Sequence, residues 1–149
     1  MYPSILVSYD GSPTSRKGLE EAIALAKALQ SQLCVVHVVE DPLLMDYSGM
    51  VNLGEIWEIL RRNGREMLAD AVAQAAKAGI TAQSKLLDGE GTRVSDSICA
   101  FARSWPAQLI VMGTHGRRGI GHLLLGSDAE AVIRTATVPV LLVRNPEAA

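Results

Sequence analysis

Short, almost unbroken apolar runs alternate along this chain with longer stretches in which apolar residues return every three or four positions, and that alternation limits the fold more than any other feature. The runs are SILVSY (4–9), LCVVHVV (33–39), Ile80 to Leu87, QLIVMG (108–113) and VPVLLV (138–143). Between the first two, Leu19, Ala22, Ile23, Ala26, Leu29 and Leu33 keep the spacing of an amphipathic helix. Ser12 is placed to cap it, with Pro13 at the first helical position. Residues 55–78 repeat the pattern through Ile56, Ile59, Leu60, Met67, Ala71, Val72 and Ala75; Gly64 interrupts it and Gly79 ends it. A third helix over about 92–104 carries Val94, Ile98, Phe101 and Ala102 on one side, and a fourth starts at Ser127. Runs as apolar as 33–39 suit strands covered on both faces. Connections of a dozen residues or more between such strands imply parallel pairing with right-handed crossovers. We expect one α/β domain over 1–149: an open five-stranded parallel sheet with helices on both faces. The run 80–87 sets Ile80, Ala82, Ser84 and Leu86 against Thr81, Gln83 and Lys85, as an edge strand would. Pro139 cannot donate to a ladder, which puts the last strand at an edge as well.

Composition narrows the function. The chain has 149 residues, 48% of them hydrophobic, which is enough for one core without staples. Fourteen Lys and Arg against 16 Asp and Glu leave a net charge of −2, so no nucleic-acid partner is expected, although a phosphorylated small ligand remains open. Cys34 and Cys99 both lie in apolar surroundings and read as buried, reduced thiols. No apolar stretch approaches the roughly 18 residues a membrane span needs. The first apolar run, Ile5 to Val7, is too short for a signal peptide. A cytoplasmic protein without a membrane partner is expected. Residues 40–54 carry Pro42, Gly49 and Gly54 without a clear period and read as a long loop or lid.

Ligands of open parallel sheets bind at the carboxyl ends of the strands, where the strand order changes direction. Two loops qualify. One follows the first strand and holds Asp10, Gly11 and Ser12; the other follows the fourth and holds Gly113, Gly116, Gly119, Gly121 and Gly126. Glycines let backbone approach a ligand and adopt positive φ, aligning N–H groups around an anion. Gly126-Ser127 leads directly into a helix, with Ser127 and Glu130 at capping-box spacing. Unpaired N–H groups and the helix dipole favour phosphate at such a start. Neither G-x-x-x-x-G-K-[ST] nor G-x-G-x-x-G after the first strand is present, which excludes ordinary P-loop chemistry and weighs against a dinucleotide.

Gly113-Thr-His-Gly116, nine residues, then Gly126-Ser127 completes the pattern G-x2-G-x9-G-[ST]. With ILVSYDGS, VVHVVED, LIVMGTHGRRG and LLLGSDAEAVIRTATVPVLLVR, the chain resembles the universal stress proteins of the UspA type, in their nucleotide-binding branch, over nearly its whole length. The resemblance implies strand order 3-2-1-4-5, a crevice for ATP, and a homodimer built partly on the last strand (138–143). It places Asp10 and Val38 at the base end of the nucleotide, Met112, Gly113 and Gly116 along ribose and phosphate, and Gly126 with Ser127 at the phosphates. A backbone N–H and C=O at Val38 suit an adenine edge. His115 and Arg117 lie in the same loop and are candidate contacts. Asp128 departs from the pattern, standing where many members carry a small neutral residue. Its carboxylate suits a helix start, but it repels a triphosphate unless it points away or a cation such as Mg²⁺ intervenes.

The leading expectation is a stress-response regulator, not an enzyme, that holds ATP and shows a nucleotide-dependent surface to a protein partner not legible in the sequence. No catalytic or metal-ligating residue is assigned. Two rivals remain: a slow ATP-hydrolysing or phosphoryl-transfer enzyme using His115 or Asp10 with Mg²⁺, and a structural or chaperone-like dimer with an empty crevice.

Overall fold

The structure, a computed structural model, describes residues 1–45, 52–115 and 125–146. Five parallel strands, β1 (Ser4–Ser8), β2 (Gln32–Glu40), β3 (Gln83–Gly89), β4 (Leu109–Gly113) and β5 (Val140–Val143), form one sheet in the order β3-β2-β1-β4-β5. Among the described residues, four α-helices connect them: α1 (Pro13–Leu29), α2 (Leu53–Lys77), α3 (Val94–Ser104) and α4 (Ser127–Thr135). The order expected from the resemblance is the order found.

Strand alternation divides the core in two. Ile5, Val7, Leu33, Val35, Leu109 and Val111 pack under α1 and α2, while Leu6, Cys34, Val36, Val38, Ile110 and Met112 pack under α3 and α4. The central strands are apolar on both faces because both are covered. The chain runs outward from β1 through β2 to β3, then crosses to β4 and β5. This reversal puts the topological switch point between β1 and β4, which pair from Ile5↔Leu109 to Val7↔Val111. Loops after these two strands therefore border one crevice.

Several boundaries differ from the sequence reading, three of them for local reasons that the hydrogen bonds show. The third strand begins at Gln83 instead of 80, because Gly79 (φ +87) turns the chain and Ile80 N–H closes back onto Ala75 O at 2.9 Å. Ile80 and Ala82 thus pack beneath α2 before pairing starts at Cys34↔Gln83. The last strand begins at Val140, since Pro139 has no N–H; Pro139 O still accepts from Ile110 N–H at 3.0 Å. Finally, the loop read over 40–54 has structure at both of its described ends. Pro42–Met45 is a 3₁₀ turn and α2 begins at Leu53, capped by Asn52 Oδ1 accepting from Glu55 N–H at 3.3 Å. Residues 46–51, the middle of the expected lid, lie outside the described residues.

Candidate functional site

Two helices begin at the crevice, and their starts differ. At α1, Ser12 Oγ accepts from Ser15 N–H at 3.2 Å, and Ser15 Oγ donates back to Ser12 O at 3.0 Å. Asp10 Oδ1 takes Ser12 N–H at 2.9 Å. The side chains of this turn satisfy its own amides, and Ser12, Thr14 and Ser15 are all buried. The α1 start is closed.

At α4 the cap is Gly126, which has no side chain to offer, and Ser127 is the first helical residue. The capping-box reading is corrected here: the cap falls one residue earlier than Ser127. Glu130 reaches forward to Arg134 (2.7 Å) instead of back to the cap. The reason is Gly126 N–H, which donates to Thr114 O at 2.7 Å and sets the chain direction before Ser127. Ser127 is left exposed, its hydroxyl making no cap bond, while Asp128 is half-buried at the second helical position. An exposed hydroxyl beside a helix start without a side-chain cap is a good donor set for phosphate.

Gly113 and Gly126 serve close approach, not positive φ, which among the crevice glycines described belongs to Gly11 (φ +79). Gly126 has φ −62, but a Cβ there would lie 2.8 Å from Thr114 O. The bond and the missing Cβ join Thr114 to Gly126 as the neck of the long glycine-rich loop. Gly113, the last residue of β4, has its Cβ position occupied by Thr14 and Ser15, with backbone atoms at 2.8–2.9 Å. Its glycine lets α1 press onto the end of β4; only its backbone could face a ligand. Thr14 Oγ1 donates to His115 O, tying the two loops across the switch point.

His115, expected to be open to a ligand, is half-buried. Its Nδ1 meets Thr114 Oγ1 at 3.2 Å, and its Nε2 is enclosed without a hydrogen-bond partner among the described residues. Met112 is buried in the α3/α4 core, so it can floor the crevice only from below. Gly116 and Arg117 lie outside the described residues. On the far side of β1, Tyr9 N–H donates to Val36 O at 2.9 Å. Strand alternation therefore turns the Val38 N–H and C=O toward β1 as well, beyond β1's last paired residue, Ser8. Asp10, Val38, Gly113, His115, Gly126, Ser127 and Asp128 accordingly stand around the carboxyl ends of β1, β2 and β4. Among the described residues no His, Cys, Asp or Glu group could hold a metal ion.

Two contributors were not anticipated. Thr14 is one, and its signal within DGSPTS is a hydroxyl in the first turn opposite a strand-ending glycine. Asp41, buried, accepts from Leu43 N–H and from Gly91 N–H, both at 2.9 Å, and so ties the loop after β2 to the loop after β3. A carboxylate placed between an apolar strand and a proline was the clue.

The sequence pattern of the universal stress protein family matches residues 1–144. A universal stress protein of Methanocaldococcus jannaschii is 33% identical over 147 residues, covering 99% of this chain and 85% of the relative. The crystal structure of a family member from Burkholderia pseudomallei superposes with TM-score 0.79 at 31% identity, covering 95% of this chain and 96% of that one. A universal stress protein of Archaeoglobus fulgidus in complex with dAMP superposes with TM-score 0.68 at 28% identity, covering 95% of this chain and 98% of that one.

Proposed function

This chain belongs to the universal stress protein family, and on that premise we propose that it is a regulatory binding module for an adenine nucleotide, ATP foremost. One observation carries the reading: of the two helix starts at the switch point, α1 is closed by its own Ser12 and Ser15, whereas α4 is capped by a glycine and flanked by an exposed hydroxyl. Phosphates belong at the α4 start, held by the Ser127 and Asp128 amides and the Ser127 hydroxyl. The base belongs over the end of β1, where the Val38 N–H and C=O offer a donor and an acceptor. That pair matches adenine, which presents N1 as acceptor and N6–H as donor. The dAMP complex of the Archaeoglobus fulgidus relative supports the ligand class. A Mg²⁺ ion would be held mainly by the phosphates and would ease the repulsion from Asp128.

Binding is favoured over turnover. Asp10 and His115, the candidate bases, are poorly placed to act: Asp10 Oδ1 holds Ser12 N–H, His115 Nδ1 meets Thr114 Oγ1, and His115 Nε2 is enclosed. The biological output would then be a surface that changes with occupancy, read by a protein partner in the cytoplasm and presented by a homodimer. In support of the dimer, β5 is an edge strand whose four side chains are each half-buried. An unpaired edge invites a second copy.

Thermal unfolding with Mg·ATP tests the proposal. At about 100 times the dissociation constant, stabilisation of roughly 2.7 kcal/mol is expected, a midpoint shift of about 5–10 °C for a chain of this size. No shift at millimolar Mg·ATP contradicts it.

A further inference from the structure

Two residues go against their elements: His37 is polar within an otherwise apolar stretch of β2, and Gly64 lies in the middle of the 25-residue helix α2. An interior glycine weakens a helix relative to alanine. They meet. A Cβ on Gly64 would lie 2.8 Å from His37 Cδ2 and 2.7 Å from Leu86 Cδ1, so the glycine makes room for the imidazole. His37 is 5% exposed, and its Nδ1 sits 2.9 Å from Tyr9 O. A carbonyl only accepts, so Nδ1 carries the proton.

The acceptor matters because of its place in the ladder. β1 and β2 pair in register through Ser8↔Val36, and the final rung runs from Tyr9 N–H to Val36 O. Continued parallel pairing would next run from Val38 N–H to Tyr9 O. In that rung's place, Tyr9 O receives the imidazole. We infer that His37 is a positioning residue for base recognition: by occupying Tyr9 O it stops the β1–β2 ladder one rung short, keeping the Val38 N–H turned to the crevice for the acceptor nitrogen of an adenine ring. This rests on the nucleotide reading above, and it adds the reason that the donor remains available. The same bond anchors the residue preceding Asp10, so one imidazole sets both backbone groups at the base end.

The Asn amide nitrogen stands where Nδ1 does, two bonds from Cβ; the Gln nitrogen is one bond further out. His37→Asn should therefore keep Mg·ATP affinity within about threefold, while His37→Leu and His37→Gln weaken it at least tenfold. Hydrogen exchange supplies a readout independent of nucleotide. The Val38 amide should become at least tenfold more protected in His37→Leu, as it closes onto Tyr9 O, and stay at the wild-type rate in His37→Asn. Nitrogen-detected NMR of the wild-type ring, which needs no variant, should find the proton on Nδ1. An unprotonated Nδ1, or equal Val38 exchange in wild type and His37→Leu, overturns the inference. A wild-type protein that binds no Mg·ATP overturns the nucleotide reading instead, and the exchange comparison still decides the role of His37.

Discussion

Gly126 and Ser127 are adjacent, yet substitution should separate their roles. A Cβ on Gly126 would press within 2.8 Å of the Thr114 carbonyl, which is itself held by the Gly126 amide. Gly126→Ala should therefore lower stability by about 1–3 kcal/mol without any nucleotide present, as read by urea unfolding. Ser127→Ala removes an exposed hydroxyl that makes no cap bond, so apo stability should stay within about 0.5 kcal/mol while titration calorimetry finds weaker Mg·ATP binding. The buried thiols make a separate prediction. Burial pushes Cys34 up from about 9 to about 11, with nearby Lys85 opposing, and Cys99 is raised for the same main reason. The folded state thus retains a proton that the unfolded chain gives up. The Cys34 contribution is complete below pH 9 and is lost as pH rises toward 11. The difference in unfolding free energy between wild type and Cys34→Val should shrink over that window; a flat difference contradicts the assignment.

At the scale of elements, the two helix starts differ: α1 is closed by its own side chains, whereas α4 is capped by a glycine. Ser12→Ala should cost about 1 kcal/mol in the absence of ligand, in contrast to Ser127→Ala, and chemical denaturation of the pair checks it. Element type and order were legible from the sequence because the central strands are covered on both sides and the helices keep one apolar face. Ser12-Pro13 announced α1 without tertiary information. What escaped depended on contacts distant in sequence. Ser127 and Glu130 have the spacing of a capping box, but the Thr114 carbonyl, reached only through the fold, moves the cap to Gly126. The reason for Gly113 lies in α1 and that for Gly64 in β2 and β3, not in their own segments. The edge position of the third strand was visible in its alternation, whereas its start was not, because the turn at Gly79 carries Ile80 and Ala82 under α2 before pairing begins.

Across the whole molecule, both proposed activities arise from sheet order. Placing β1 beside β4 brings two loops to one crevice, and placing β5 at the edge leaves a strand open to a second chain. Since Pro139 O and Val143 O both accept from the β4 side, alternation turns the backbone groups of Val140 and Leu142 outward. Sedimentation equilibrium should give twice the 15.9 kDa chain mass, and Leu142→Pro, which removes an outward donor, should give the single mass. No helix among the described residues is long and apolar enough to cross a membrane. Amide chemical-shift mapping during a Mg·ATP titration tests that account most directly. The Ser127 and Asp128 amides should move furthest together with Val38, while those of Thr14 and Ser15 in the closed α1 start stay nearly still. Shifts centred on α1, or none at α4 under saturating nucleotide, would contradict it.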